Sequence, residues 1–116
     1  MAQVTIYHNP RCSKSRETLA LLDAKGIKPH IVEYLKTPPS AGELERILKL
    51  INMEPRGLMR RQETEYHDLG LDNAKLSRAQ LIKAMVENPR LIERPIVLAN
   101  GKAALGRPPA SVLKIL

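Results

Sequence analysis

A chain of 116 residues with 43% apolar residues can build one hydrophobic core and leaves too little apolar surface for a second. Its formal charge of +7 favours anionic partners, but the basic residues are spread out, without the dense tract of a nucleic-acid-binding arm. The only aromatic residues are three tyrosines, which disfavours base-stacking surfaces and predicts a core of Leu, Ile, Val, Ala and Met. No nucleic-acid partner is expected.

The sequence carries no targeting or disulfide signal. No segment approaches the ~20 apolar residues of a membrane span. The first residues lack the charged and apolar regions of a signal peptide. We therefore expect a cytoplasmic protein without a membrane partner. Its single cysteine, Cys12, cannot form an internal disulfide.

The first third of the chain predicts a strand, a helix and a second strand. Residues 3–7 are rich in strand-forming side chains and stop at Asn9-Pro10. Apolar residues at helical spacing follow from Cys12, and Gly26 lies just past the expected helix end. Residues 29–34 form the second predicted strand. This order indicates a βαβ unit with a right-handed crossover.

The middle of the chain predicts helices. Ser40 with Glu43, and Ser77 with Gln80, both have the spacing of a capping box, and an apolar helical pattern follows each pair. Residues 55–71 predict short helices joined by polar turns.

The last third returns to strands. Residues 95–99 and 102–105 flank Asn100-Gly101, a strong hairpin signal, and a short helix is expected after Pro109. The whole order matches an α/β, thioredoxin-like fold with a mixed four-stranded sheet. We expect one domain over residues 1–116, with a helical insertion at about 40–88. Pro95 occupies the place where that fold commonly carries a cis-proline.

Cys12 follows a strand and a turn and opens a helix, where unpaired N–H groups and the helix dipole favour an anion. Lowering a thiol pKa by about two units takes ~2.7 kcal/mol, and a helix terminus supplies at most about 2. Neighbouring groups must supply the remainder. The candidates are His8, Arg11, Ser13, Ser15 and Arg16. The alternative is a buried, inert cysteine, which is common in cores.

His8 also has an ordinary explanation, because a histidine that ends a strand is often solvated or hydrogen-bonded without a catalytic role. A protonated His8 beside the sulfur would lower the thiol pKa. The histidines and the cysteine show no metal-ligand spacing, so no metal is expected.

Three arginines are candidates for oxyanion binding, because the planar fork of Arg suits tetrahedral oxyanions. Arg60 lies in the helical insertion, whereas Arg94 and Arg107 flank the predicted hairpin and reach the same edge of the sheet. Arg61 and Arg90 are alternatives that spacing alone does not separate from these.

Five segments together resemble the glutaredoxin-linked arsenate reductases. They are YHNPRCSKSR at residues 7–16, YLKTPP at 34–39, LMR at 58–60, ERPIV at 93–97 and GRP at 106–108. The resemblance covers nearly the whole chain and is closer to a chromosomal branch of that family.

The resemblance implies a thioredoxin-like fold and arsenate reductase activity without a bound cofactor. Cys12 would be the nucleophile, and His8 and Ser15 would hold its thiolate. Arg60, Arg94 and Arg107 would bind the oxyanion. Because one thiol cannot close an internal disulfide, the resolving thiol must come from another molecule, and the resemblance implies glutathione as the co-substrate and glutaredoxin as the partner.

Two other protein classes share features with this sequence. A phosphatase-like arsenate reductase needs Cys-x5-Arg, but the residue six after Cys12 is Thr18. An Spx-like regulator that binds RNA polymerase shares the fold and often carries Cys-x-x-Cys. Ser15 stands at the second cysteine position of that motif, so the redox switch is missing, and this role remains the alternative.

Overall fold

The computed structural model describes residues 3–116 and contains a mixed sheet. Its strands are β1 (Thr5–His8), β2 (His30–Glu33), β3 (Ile96–Ala99) and β4 (Lys102–Leu105). The strand order is β2-β1-β3-β4 in a four-stranded sheet. β1 is parallel to β2 and antiparallel to β3, and β3 is antiparallel to β4. The predicted mixed four-stranded sheet is confirmed.

The helical segments include the two whose starts the capping signals predict. They are α1 (Ser13–Ala24), α2 (Ala41–Ile51), α3 (Thr64–Asp68) and α4 (Arg78–Glu87). Ser40 and Ser77 form complete capping boxes with Glu43 and Gln80. Three short 3-10 segments are Pro55–Leu58, Pro89–Leu91 and Pro109–Ile115. The last helical segment is therefore a 3-10 helix.

The chain divides into two compact units. One contains the residues up to Thr37 together with 94–116, and the other contains residues 38–93. The first unit is the sheet with α1 and the C-terminal 3-10 segment, and the second is helical. The single domain and an insertion at about 40–88 remain predictions.

The core of the sheet unit is aliphatic where α1 and the last segment cover the sheet. Its buried cluster comprises Val4, Ile6, Leu22, Val97, Ala99, Val112 and Ile115. Elsewhere the composition-based expectation was wrong, because all three tyrosines are buried. Tyr34 is 2% exposed, Tyr7 5% and Tyr66 7%. A few aromatic rings thus belong to the interior despite their scarcity.

The sheet register brings three chain segments to one edge. Ile96 pairs with both Tyr7 of β1 and Leu105 of β4. The end of β1, the residues before β3 and the residues after β4 therefore lie together. The Arg94–Pro95 and Arg107–Pro108 peptide bonds are cis. Among the described residues, no helix is long and apolar enough to cross a membrane.

Candidate functional site

Cys12 occupies the N-cap position of α1 with extended backbone angles, φ −92° and ψ 124°. A tight turn precedes it, in which the Cys12 N–H donates to the Asn9 carbonyl at 3.0 Å. The Arg16 N–H donates back to the Cys12 carbonyl at 3.0 Å and starts the helix. The side chain is 9% exposed. The sulfur therefore lies at a helix N-terminus, as the sequence predicted.

The pKa of the Cys12 thiol is lowered from its ordinary value by several groups acting against burial. Burial is the largest single influence and raises the pKa, because desolvation disfavours the thiolate. The backbone N–H of Ser15, the charge of Arg94, the backbone N–H of Lys14 and a hydrogen bond from Arg94 lower it in that order. Together they outweigh burial, so at a given pH Cys12 carries more thiolate than an ordinary cysteine does.

The backbone N–H groups of Ser15 and Lys14 act where an N-cap side chain normally accepts hydrogen bonds. Ser15, a candidate from the sequence, therefore acts on the sulfur through its main-chain N–H and not through its hydroxyl. Ser13 is exposed and is not among the groups that lower the pKa. Lys14 was missed as a contributor. The unpaired N–H groups of the first helical turn are the signal that could have identified it.

The Ser15 hydroxyl is instead hydrogen-bonded to the His8 side chain and to the Asn9 main chain. Ser15 Oγ lies 2.6 Å from His8 Nδ1 and accepts the Asn9 N–H at 3.0 Å. Both side chains are buried, with His8 6% exposed and Ser15 0%. In the neutral His8 tautomer with the proton on Nε2, the hydroxyl donates to Nδ1. This network fixes the turn that presents Cys12 to the start of α1.

His8 does not supply the positive charge near the sulfur. Its pKa is lowered chiefly by desolvation, against an opposing influence of Glu33 and with a further lowering by Arg16. A histidine with a lowered pKa is mostly neutral at pH 7. His8 therefore acts through its bond to Ser15 rather than through its charge.

Arg94 and Arg107 lie together at the edge of the sheet that carries Cys12. Arg94 interacts with the Cys12 sulfur, and its Nε and Nη1 atoms are buried. Arg107 is exposed, and its Nη1 donates to the Arg94 carbonyl at 3.3 Å. The predicted convergence of these two arginines is thus found. The pair places the Arg94 guanidinium against the thiol and the Arg107 guanidinium against the Arg94 main chain.

Two other cations near Cys12 do not act as expected. The Arg16 guanidinium donates to the Pro10 carbonyl at 3.0 Å, and its charge acts on His8. Arg11 is exposed, and its N–H donates to the Asn9 side chain at 3.0 Å. Neither is among the groups that lower the Cys12 pKa. Their closeness to Cys12 in the sequence therefore did not indicate an effect on the thiol pKa.

Arg60 belongs to the helical unit, where carboxylates surround it. It pairs with Glu63, and its Nε lies 3.9 Å from Glu93 Oε1. Its N–H donates to the Leu91 carbonyl at 2.7 Å. The Arg60 side chain is 31% exposed, so part of the guanidinium remains accessible.

The alternative arginines of the helical unit have structural partners. Arg90 pairs with Glu63 at 3.2 Å and with Glu65 at 3.7 Å. Arg61 is exposed, and its Nε lies 3.4 Å from the Arg56 carbonyl. The sheet unit therefore assembles Cys12, His8, Ser15, Arg94 and Arg107, and Arg60 lies in the other unit.

The pH dependence of Cys12 alkylation tests the electrostatics of the site. Because the folded chain lowers the thiol pKa, the rate with iodoacetamide should reach half its plateau at a pH below that of an ordinary cysteine. Arg94→Met removes a positive charge and a hydrogen bond, so its half-plateau pH should be higher than that of the native chain. Arg16→Met is the matched control and should leave the midpoint of Cys12 unchanged. Equal midpoints for Arg94→Met and the native chain would refute the role of Arg94.

The Ser15 network can be tested by its contribution to stability. Ser15→Ala leaves the buried His8 Nδ1 and the Asn9 N–H without the hydroxyl, which should lower the free energy of unfolding by about 1–3 kcal/mol. Urea unfolding followed by circular dichroism measures this change. Ser13→Ala is the control at an exposed position and should change stability by less than about 0.5 kcal/mol.

Comparison with known proteins agrees with the resemblance seen in the sequence. The ArsC family model matches residues 7–115. An Escherichia coli protein named YfgD is 56% identical over 115 residues, covering 98% of this chain and 97% of that one. A Haemophilus influenzae protein named arsenate reductase is 54% identical over 114 residues, covering 97% of this chain and 98% of its own.

A solved structure gives the same result for the fold. The structure of an arsenate reductase from Vibrio cholerae superposes with a TM-score of 0.96 at 53% identity, and the match covers 98% of each chain. The thioredoxin-like α/β fold predicted from the order of elements is confirmed. With the family model spanning nearly the whole sequence, the chain belongs to the ArsC family.

Proposed function

We propose that this chain is an oxidoreductase that reduces arsenate to arsenite through a covalent adduct on Cys12. The observation that carries the proposal is a cysteine whose pKa is lowered at a helix N-terminus beside Arg94. A thiolate is the form that attacks, and adjacent guanidinium groups offset the charge of an incoming oxyanion. The family relatives named arsenate reductase support the choice of arsenate among small oxyanions.

Each site residue has a distinct role in the proposal. Cys12 is the nucleophile, and the His8–Ser15 bond together with the Ser15 N–H holds its position and charge. Arg94 and Arg107 bind the oxyanion from the edge of the sheet. Arg60 is assigned to the same oxyanion by the family resemblance, with Glu63 and Glu93 orienting its guanidinium.

The chemistry balances with two thiols. The Cys12 sulfur displaces one arsenate oxygen, which leaves as water after protonation, and a sulfur–arsenic(V) bond forms. The thiolate of glutathione then attacks the Cys12 sulfur. The sulfur–arsenic bond breaks and its electron pair stays on arsenic, giving arsenite and a Cys12–glutathione disulfide. Arsenic gains two electrons, and the two sulfurs each lose one.

An external thiol is required because the chain has a single cysteine. The Cys12–glutathione disulfide must be reduced by a second thiol, and we assign that step to glutaredoxin. Thiolate attack on the glutathione sulfur releases Cys12 and moves glutathione to glutaredoxin. A supply of reduced glutathione places this cycle in the cytoplasm.

The test is arsenate-dependent NADPH oxidation coupled through glutathione, glutaredoxin and glutathione reductase. Turnover should require both glutathione and glutaredoxin. Mass spectrometry of a reaction without glutaredoxin should find Cys12 carrying glutathione. Full arsenate turnover without any external thiol would contradict the proposal. So would an unmodified Cys12 throughout a reaction that produces arsenite.

A further inference from the structure

A cavity of about 310 Å³ lies beside the turn that carries Cys12. Its walls come from the ends of β1 and β2 and from the residues that follow each strand. The lining includes His8, Pro10, Arg11, Glu33, Leu35 and Lys36. All of them belong to the sheet unit. Of these residues only His8 belongs to the proposed oxyanion site, so binding of the oxyanion leaves the cavity unused.

The cavity adjoins the reactive sulfur through the main chain. Arg11 in its wall directly precedes Cys12, and the Asn9 carbonyl, one residue before Pro10, accepts the Cys12 N–H at 3.0 Å. His8 forms part of the wall and is bonded to Ser15, whose N–H acts on the sulfur. A tripeptide spans up to about 10 Å when extended. A molecule of that size in the cavity would lie next to the turn that positions Cys12.

Charged groups of both signs surround the cavity. Lys36 Nζ lies 3.7 Å from Glu33 Oε1, and these side chains are 79% and 45% exposed. Within residues 3–116, the Arg11 guanidinium forms no ion pair, while its N–H is held by the Asn9 side chain at 3.0 Å. The turn is thus fixed, and the guanidinium remains available to a ligand. Two cations and one carboxylate favour a ligand with two carboxylates and one ammonium group.

The apolar part of the cavity suits a short aliphatic chain. Leu35 is 40% exposed although it is a large apolar residue, and Pro10 contributes a second apolar surface. A ligand that covers Leu35 removes apolar area from water. The required molecule is therefore a small zwitterionic peptide with an excess of carboxylates and a flexible aliphatic backbone.

We propose that this cavity binds glutathione, with Arg11 and Lys36 binding its carboxylates and Glu33 binding its ammonium group. This proposal rests on the proposed function, in which glutathione attacks the Cys12 sulfur. In this proposal the cavity holds the two ends of the tripeptide, and its central cysteine faces the turn that carries Cys12. The bound thiol then meets the adduct without a separate encounter in solution.

Direct binding is tested with S-methylglutathione, which cannot form a disulfide. Titration into the native ¹⁵N-labelled chain should shift the amide signals of Asn9, Arg11, Leu35 and Lys36 in a saturable manner. The diethyl ester of the same probe lacks both carboxylate charges and should bind at least about tenfold more weakly. Shifts confined to residues outside the cavity would overturn the proposal.

The kinetic test uses charge removal. The double variant Arg11→Ala with Lys36→Ala should raise the KM for glutathione by about five- to tenfold or more and leave the KM for arsenate unchanged. Lys25→Ala is the control, because Lys25 is exposed in the same unit and lies at the other end of α1. An unchanged KM for glutathione in the double variant would overturn the proposal.

The two proposals can fail separately. If S-methylglutathione shifts the cavity residues but arsenate is not reduced, the binding site stands and the proposed substrate is wrong. If arsenate turnover requires glutathione but the cavity residues neither shift nor change the KM, the proposed function stands and glutathione binds elsewhere. A KM effect for glutaredoxin alone would assign the surface to the protein partner and would also overturn the proposal.

Discussion

Replacing Cys12 by serine should lower arsenate turnover by at least about a thousandfold. A serine hydroxyl does not ionise near neutral pH, so neither the Ser15 N–H nor Arg94 can stabilise an attacking anion at this position. The sulfur–arsenic bond that carries the electron pair cannot form. Because the rest of the cycle depends on that bond, no other residue can compensate.

This substitution is informative because it should leave the helix intact. Serine is a favourable N-cap residue and can accept the N–H groups of the first turn of α1. We expect the variant to unfold at a urea concentration close to that of the native chain. The coupled NADPH assay measures the loss of activity, and circular dichroism verifies the fold. Turnover within about tenfold of the native rate would refute a catalytic Cys12 and would favour the binding role of an Spx-like regulator.

The local signals in the sequence were sufficient for most of the secondary structure. Capping boxes at Ser40 and Ser77 and the hairpin signal at Asn100-Gly101 depend on neighbours within a few residues, and all three are found. Asn100 and Gly101 have φ of 53° and 71°, the positive values that such a turn requires. Short-range chemistry of this kind can be predicted from a single sequence.

The sequence predicted which residues form the site better than it predicted what each side chain does there. Cys12, Arg94 and Arg107 could be placed at one edge because strand order and hairpin geometry fix where strands end. The roles of Ser15 and Arg16 depend on which way their side chains turn. Ser15 Oγ bonds His8 and the Arg16 guanidinium bonds the Pro10 carbonyl, so neither side chain acts on the sulfur as its sequence position suggested. Rotamers are decided by packing, which a linear pattern does not contain.

The buried tyrosines illustrate a second limit. Composition gave the number of aromatic residues but not their location, and large side chains are buried wherever the packing admits them. Tyr34 follows the edge strand β2, whose own residues are mostly exposed, and is nevertheless 2% exposed. The sequence predicts a strand over residues 29–34, whereas β2 ends at Glu33 and Tyr34 begins a turn, so the strand pattern did not indicate its burial.

Gly106 is the position where the smallest substitution should have a large effect on stability. A Cβ at this residue would overlap Thr18 Oγ1 and lie 2.7 Å from Pro95 Cγ and 3.2 Å from Thr18 Cγ2. Neither neighbour is free to move. Thr18 is fully buried and its hydroxyl donates to the Lys14 carbonyl at 2.8 Å, and Pro95 accepts the Gly106 N–H at 2.9 Å. The glycine therefore permits the close approach of α1 to the end of the sheet.

We expect Gly106→Ala to lower the free energy of unfolding by about 2–3 kcal/mol, since overpacking forces the buried neighbours apart. Gly42→Ala is the matched control. Its Cβ would meet only Ser40 Oγ at 3.9 Å, and alanine in a helix is favoured over glycine by about 0.5–1 kcal/mol. Urea unfolding of both variants should therefore give changes of opposite sign.

A double-mutant cycle identifies the steric cause. Thr18→Ala removes Oγ1 and Cγ2, so it should destabilise the Gly106→Ala chain by at least about 1 kcal/mol less than it destabilises the native chain. The same overlap should also affect the Cys12 thiol. Gly106 directly precedes Arg107, and its N–H donates to the carbonyl of Pro95, which directly follows Arg94. A displaced Arg94 interacts less with the sulfur, so the half-plateau pH of Cys12 alkylation should rise in Gly106→Ala and return toward the native value in the double variant. Additive stabilities with an unchanged midpoint would show that the contact at Gly106 constrains neither the fold nor the thiol.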